Sequence, residues 1–211
     1  MDLLNEFYSV LNSLEMTNVE QPLFYNSKVG LRFDIGDSSD IDTYSTNDTI
    51  NQKYIDYCYE RTNKILNCLG CSPDILAIKV HFDNSKSLDK DINTITKSAE
   101  LPFPDVVDKK EIEEHREKTN IAILLWDLSK TSISKEKLLK EILKSDIGGE
   151  CLFSSSVFWI YSENNIIFHL YSDLGADLVA TEKSKLFGIY KDLNDMILDY
   201  DREKIDEIFG E

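Results

Sequence analysis

Aspartate residues form two sets in this sequence that are dense enough to suggest metal chemistry. The first set lies in residues 34–42 and consists of Asp34, Asp37, Asp40 and Asp42. Carboxylate oxygens at this density suit calcium or magnesium. The spacing differs from that of an EF-hand loop, in which ligands alternate and a glycine occupies the sixth position. The sequence therefore favours a solvated acidic loop over a metal site.

The second set lies near the C-terminus and consists of Asp173, Asp177, Asp199 and Asp201. Four carboxylates of this kind could form the metal cage of a hydrolase. Local roles explain them equally well, because Asp173 lies in a predicted tight turn and Asp199 or Asp201 precedes a predicted helix. We favour the turn and helix-cap roles. A metal-dependent hydrolase that uses one of the two aspartate sets is the alternative function.

The cysteines and histidines show no catalytic or metal-binding spacing. Cys68 and Cys71 form a CxxC motif, but the motif closes a predicted helix, whereas a low-pKa redox thiol requires a helix N-terminus. A zinc site needs two further ligands at similar spacing, and Cys58 and Cys151 are isolated. The three histidines are also far apart: His81, His115 and His169. We predict structural cysteines and assign no catalytic residue, metal or cofactor.

Composition limits the classes of partner. The 211 residues include 23 Lys and Arg and 39 Asp and Glu, which gives a net charge of −16. This charge repels nucleic acid and anionic membranes and favours a basic protein partner. No apolar run approaches the ~18 residues of a membrane helix, and the start MDLLNEF lacks the basic region of a signal peptide. We therefore expect a cytoplasmic protein with reduced cysteines.

Hydrophobic periodicity predicts most of the secondary structure. Amphipathic helices are predicted over residues 2–14, after a Thr49–Gln52 capping box, and after a Ser134 cap. Strands are predicted over residues 31–35, 75–82 and 121–126, the last of them central because it is continuously apolar. Residues 83–120 show the weakest pattern, and we interpret them as a long excursion with at most a short exposed helix.

The C-terminal third predicts a β-β-β-α unit. Residues 157–161 and 166–171 form a predicted hairpin, and residues 176–180 form a third strand. Thr181 is the predicted N-cap of a helix with apolar residues at helical spacing: Leu186, Ile189, Leu193 and Ile197. We predict one α+β domain over residues 1–211, with a mostly antiparallel sheet, helices packed on one face, and the N-terminal helix beside them.

Two stretches of this unit resemble a known family. Residues 171–180 (YSDLGADLVA) and 198–202 (LDYDR) are similar to the C-terminal signature of a bacterial family catalogued as domain of unknown function 3885. In that signature an arginine usually precedes the glycine and a tryptophan precedes Ile-Leu-Asp-Tyr-Asp. Here Leu174 and Met196 occupy those positions.

The N-terminal half is similar to the same family at residues 31–36 (LRFDIG) and in the helix of residues 54–69, with its Glu60-Arg61 pair. The resemblance therefore spans most of the chain. It implies a bacterial α+β protein, and it supplies no catalytic residue because the family has no established activity.

These observations favour a binding protein over an enzyme. We expect a small acidic protein of the immunity or antitoxin kind, which neutralises a basic toxin domain by covering its phosphate-binding groove with carboxylates. The predicted partner-binding residues are Asp37, Asp40 and Asp42. They lie in a loop between a strand and a capped helix, so rigid elements hold both of its ends.

Overall fold

A computed structural model describes residues 2–36, 40–114, 117–148 and 156–210. Seven strands form one sheet: β1 (Gly30–Asp34), β2 (Ile75–His81), β3 (Val106–Glu114), β4 (Glu117–Asp127), β5 (Ser156–Tyr161), β6 (Ile166–Leu170) and β7 (Gly175–Ala180). Their order is β1-β7-β6-β5-β2-β4-β3. Every neighbouring pair is antiparallel. The predicted α+β class with an antiparallel sheet is confirmed.

Six helices are present within the described residues: α1 (Leu3–Ser13), α2 (Gln52–Cys68), α3 (Ser85–Ser98), α4 (Lys135–Leu143), α5 (Lys183–Asp192) and α6 (Arg202–Phe209). The larger part of the core joins α2 to α6 with one face of the sheet. The smaller part joins α1 with the opposite face. Helices α2 to α6 thus share one face as predicted, whereas α1 covers the other face instead of lying beside them.

The alternation of side chains along the strands explains this division. In β2, Leu76 and Ile78 contact the larger core, whereas Ile75 and Ala77 contact the smaller one. Both faces of the central strands are therefore buried. This is why Ile121–Trp126, predicted as a central strand, is apolar at every position and fully buried.

Two predicted helix starts were wrong by one or two residues. The N-cap of α2 is Asn51, whose side chain accepts a hydrogen bond from the Lys53 amide, because Thr49 Oγ1 is instead bonded to Ser45. The N-cap position of α5 is Glu182, and the Thr181 hydroxyl accepts a bond from the Lys185 ammonium. The Ser134 cap of α4 is confirmed.

The interpretation of residues 83–120 as an unpatterned excursion was wrong. These residues contain α3, the whole of β3 and the start of β4. Helix α3 begins with a capping box at Asn84 and buries Leu88, Ile92 and Ile95. The pattern was weak because the apolar residues of α3 are few and β3 is a charged strand at the edge of the sheet.

The C-terminal β-β-β-α unit is present, with one difference. Residue Ile197, predicted to lie in the helix that follows Thr181, is outside α5 and forms an isolated bridge to Phe33. The Leu198 amide then donates to the Arg32 carbonyl over 2.9 Å. Residues 197 and 198 therefore cover the outer edge of β1, and they bring the signature LDYDR next to Arg32.

Candidate functional site

A buried ion-pair network lies where β1, β7 and the C-terminal segment meet. The Arg32 guanidinium donates through Nε to Asp177 Oδ1 over 3.0 Å and through Nη1 to Asp201 Oδ2 over 3.2 Å. The Arg32 side chain is 12% exposed and that of Asp177 is fully buried. The rings of Tyr25 and Tyr171 lie 5.0 and 5.5 Å from the guanidinium carbon. The arginine is thus enclosed by two carboxylates and two aromatic rings.

The same carboxylates hold the N-terminal arm, which we define as residues 15–28. Asp177 Oδ2 accepts a bond from the Phe24 amide over 3.0 Å, and Asp201 Oδ1 accepts one from the Tyr25 hydroxyl over 2.5 Å. Burial raises the pKa of Asp177, while the Phe24 amide and Arg32 act in the opposite direction. Each of the four carboxylate oxygens of Asp177 and Asp201 therefore accepts a hydrogen bond from within the protein.

The second aspartate set does not form a metal cage. Asp177 and Asp201 share Arg32, whereas Asp173 accepts a bond from the Tyr54 hydroxyl over 2.8 Å and the exposed Asp199 pairs with Arg202. Over the residues with described positions, no group of three or more His, Cys, Asp or Glu could hold a metal ion. The predicted cap role was wrong for Asp201, which occupies the N-cap position of α6 without a side-chain capping bond.

His169 extends the buried polar network beneath the arm. Its Nδ1 lies 2.8 Å from the Val157 carbonyl, and its Nε2 lies 2.8 Å from the Gln21 amide nitrogen. Since a carbonyl only accepts, the proton resides on Nδ1, and Nε2 accepts from Gln21. Burial lowers the pKa of His169 to about 4. His169 is therefore a neutral structural residue.

The acidic loop, which we define as residues 36–48, begins at a tight contact between three elements. A side chain at Gly36 would meet the Tyr54 hydroxyl and the Asp173 carbonyl, so only glycine fits there. The Arg61 guanidinium of α2 donates to the Asp34 carbonyl over 2.8 Å. The end of β1, the β6–β7 turn and α2 are thus locked together where the loop leaves the sheet.

Backbone hydrogen bonds order the far part of this loop. The Asn51 side chain donates to the Asp42 carbonyl over 2.7 Å, and the Asn51 amide donates to Thr43 over 2.9 Å. The Ser45 amide donates to Thr49 over 2.8 Å. Residues 42–51 therefore form a short closed hairpin at the N-terminus of α2.

The carboxylates of this hairpin and of the neighbouring Asp40 face solvent. Asp40, Asp42 and Asp48 are exposed. Within the described part of the chain, none of them pairs with a lysine or arginine. Asp37 lies outside the described residues. Of the three predicted partner-binding residues, Asp40 and Asp42 are thus free, exposed carboxylates on one ordered loop.

Sequence reasoning missed one residue of this surface. The Tyr44 side chain is 49% exposed, and its hydroxyl donates to the Ile147 carbonyl over 3.2 Å. This bond anchors the ring in the loop that also carries Asp42 and Asp48. The signal in the sequence was a single aromatic residue in a loop of Gly, Ser, Thr, Asn and Asp.

The cysteines lie apart from this loop. Cys58 is buried, Cys68 and Cys71 are exposed, and all three are free thiols. Burial raises the pKa of Cys58 to about 11 and also raises that of Cys68. A raised pKa disfavours the reactive thiolate, so neither Cys58 nor Cys68 has the electrostatic setting of a redox thiol. Cys151 and His115 lie outside the described residues.

The two stretches that resemble a family signature, residues 171–180 and 198–202, supply the carboxylates that bind Arg32. A comparison against family models finds the same family. Residues 7–201 match the model of a domain of unknown function, DUF3885. The chain belongs to this family. No curated protein and no solved structure shows significant similarity to it. The match to DUF3885 ends at Asp201 and includes Arg32 and Asp177. Of the two departures from the family signature, Leu174 is 64% exposed and Met196 is buried.

Replacing Arg32 tests whether the network holds the fold together. Arg32→Met leaves the carboxylates of Asp177 and Asp201 buried without their cation, so we expect a loss of about 3–5 kcal/mol in the free energy of unfolding. Lys118→Met is the matched control, because it breaks the exposed ion pair with Glu111. It should change stability little. Urea unfolding measures both, and equal losses would show that the buried network has no special role.

The low pKa of His169 predicts how stability depends on pH. Because the folded pKa of about 4 is below the ordinary 6.5, the stabilisation is complete above pH 6.5 and falls as the pH drops toward 4. Between pH 7 and pH 5 the loss amounts to about 2 kcal/mol. In His169→Gln this part of the pH dependence should disappear. Urea unfolding at both pH values measures it, and identical pH profiles for the two proteins would contradict the assignment.

Proposed function

We propose that this protein is a stoichiometric binding protein that captures a basic protein partner through the loop of residues 40–48. The partner class we favour is a cationic toxin domain such as a nuclease, so that the protein acts as a bacterial immunity or antitoxin protein. The loop would place carboxylates over the groove with which the partner binds phosphates. This covering would block the partner's access to nucleic acid.

The observation that supports this proposal is the combination of free carboxylates and a fixed aromatic ring on one ordered loop. Asp40, Asp42 and Asp48 have no basic partner among the described residues, so their charge is available to an external cation. Tyr44 already has a restrained ring and a large exposed area, and such residues often supply much of the binding energy at protein interfaces. Because residues 42–51 are already hydrogen-bonded to one another, binding requires little ordering of the loop.

The overall charge supports the same partner class. A net charge of −16 accelerates the approach of a cationic protein and repels nucleic acid. We place the protein in the cytoplasm, where the free thiols of Cys58, Cys68 and Cys71 would stay reduced. No helix within the described ranges is long and apolar enough to cross a membrane.

Co-expression with the products of neighbouring genes tests the proposal. Pull-down should recover a basic protein in an equimolar complex, and the chain should restore growth to cells that express this partner alone. Failure to recover any basic partner would overturn the proposal. Calorimetric titration with magnesium, manganese and calcium addresses the hydrolase alternative, since a metal site would bind at least one of these ions.

Charge reversal on the loop tests the site itself. The triple variant Asp37→Lys, Asp40→Lys and Asp42→Lys should slow association with the basic partner and weaken its dependence on salt. A control triple variant, Glu163→Lys, Glu203→Lys and Glu207→Lys, makes the same change in net charge at exposed positions elsewhere. Stopped-flow association at several salt concentrations should separate the two variants.

Equal slowing in both triple variants would show that only net charge matters, and unchanged kinetics in the loop variant would place the interface elsewhere. A third variant, Tyr44→Ala, keeps every charge. It should mainly accelerate dissociation, because the loss of a buried aromatic contact affects the bound state more than the approach.

A further inference from the structure

A second surface feature lies at the other end of the helix pair α2 and α4. A cleft of about 300 Å³ separates the C-terminus of α2 from the N-terminus of α4. Its lining residues are Leu66, Asn67, Gly70, Cys71, Ser72, Pro73 and Lys135. The acidic loop precedes the N-terminus of α2, and the 17 residues of this helix span about 25 Å. The cleft is therefore separate from the proposed interface.

Lys135 differs from the other lysines of α4 and from Lys144 at its C-cap. Lys137 pairs with Glu100, Lys140 with Asp56 and Glu136, and Lys144 with Glu141. Lys135 is partly buried, yet it makes no ion pair and no side-chain hydrogen bond to any residue that the structure describes. A partly desolvated ammonium group without an acceptor is unfavourable. Lys135 is therefore a partly buried cation without an anionic partner among the described residues.

The surroundings of Lys135 suit an anion. None of the lining residues is acidic, whereas three other surface clefts in the described ranges, lined in part by Asp74, Asp83 and Asp199, each contain at least one Asp or Glu. The Asn67 amide and the Ser72 hydroxyl are further hydrogen-bond donors at the rim. Lys135 is also the first residue of α4, so the positive end of the helix dipole adds to its charge. Leu66 and Pro73 supply apolar surface for the rest of a ligand.

We propose that this cleft binds the oxyanion group of a small molecule, a carboxylate or a phosphate, with Lys135 Nζ as its charge partner. The volume admits a small metabolite rather than a protein segment. Asn67 and Ser72 would donate to the remaining oxygens. Burial lowers the pKa of Lys135, and a bound anion would raise it.

Titration of the full chain with acetate, and separately with inorganic phosphate, tests this proposal by nuclear magnetic resonance. Saturable shifts are expected at the amides of residues 70–72 and 136–137, and the shifts should be absent when chloride replaces the anion at equal ionic strength. Lys135→Gln should weaken binding by about tenfold or more, because it removes a charge-assisted hydrogen bond. Lys137→Gln is the control. It makes the same substitution two residues further along α4, at a lysine that does not line the cleft.

Three results would overturn the proposal: no saturable shifts with either anion, equal shifts with chloride, or equal binding by Lys135→Gln and Lys137→Gln. Preference for one anion identifies the group that the site recognises. Lysine acylation of the unmodified protein followed by mass spectrometry gives a test that does not depend on a variant. Lys135 should react faster than Lys137, and only Lys135 should be protected by the bound anion. An absence of protection would contradict binding at Lys135.

Discussion

The arrangement of this protein depends on keeping one arginine charged inside the structure. A guanidinium cannot lose its proton in a protein, so the burial of Arg32 requires compensation by carboxylates and hydrogen bonds. Asp177 and Asp201 supply it, from positions 145 and 169 residues away along the chain. Each of them also binds the N-terminal arm. A single buried charge thus joins the arm, the β1 edge of the sheet and the C-terminal segment.

This network also determines what the surface can do. Internal contacts occupy three carboxylates of the C-terminal aspartate set: Tyr54 binds Asp173, and Arg32 binds Asp177 and Asp201. These carboxylates are therefore unavailable to a ligand. The contact of Gly36 with Tyr54 fixes the start of the acidic loop. Among the described residues, Asp40, Asp42 and Asp48 have no basic partner, and their loop is supported at both ends. The packing of β1, β7 and α2 therefore does two things: it surrounds Asp173, Asp177 and Asp201 with internal partners, and it holds the start of the acidic loop next to them.

Local sequence patterns predicted the parts of the fold that local physics determines. The hairpin of β5 and β6, the buried strand at Ile121–Trp126 and the Ser134-capped helix follow from periodicity and capping. The edge strand β3 was missed because it is charged, and α3 because three buried side chains in 14 residues are a weak signal. Asp201 was considered, together with Asp199, for a helix cap because its actual partner, Arg32, lies in a distant strand. Tyr44 was missed because its exposure depends on the closed hairpin around it.

Native-state hydrogen exchange on wild type and Arg32→Met tests most directly whether Arg32 unites these segments. The informative amides are that of Phe24, bonded to Asp177, and that of Leu198, bonded to the Arg32 backbone carbonyl, which the substitution leaves in place. We predict that both amides lose protection together in Arg32→Met and exchange through a local opening. Amides at the centre of β4 should still exchange only through global unfolding. Independent behaviour, in which Leu198 keeps its protection when Phe24 loses it, would contradict the account and show that the arm and the C-terminal segment are held separately.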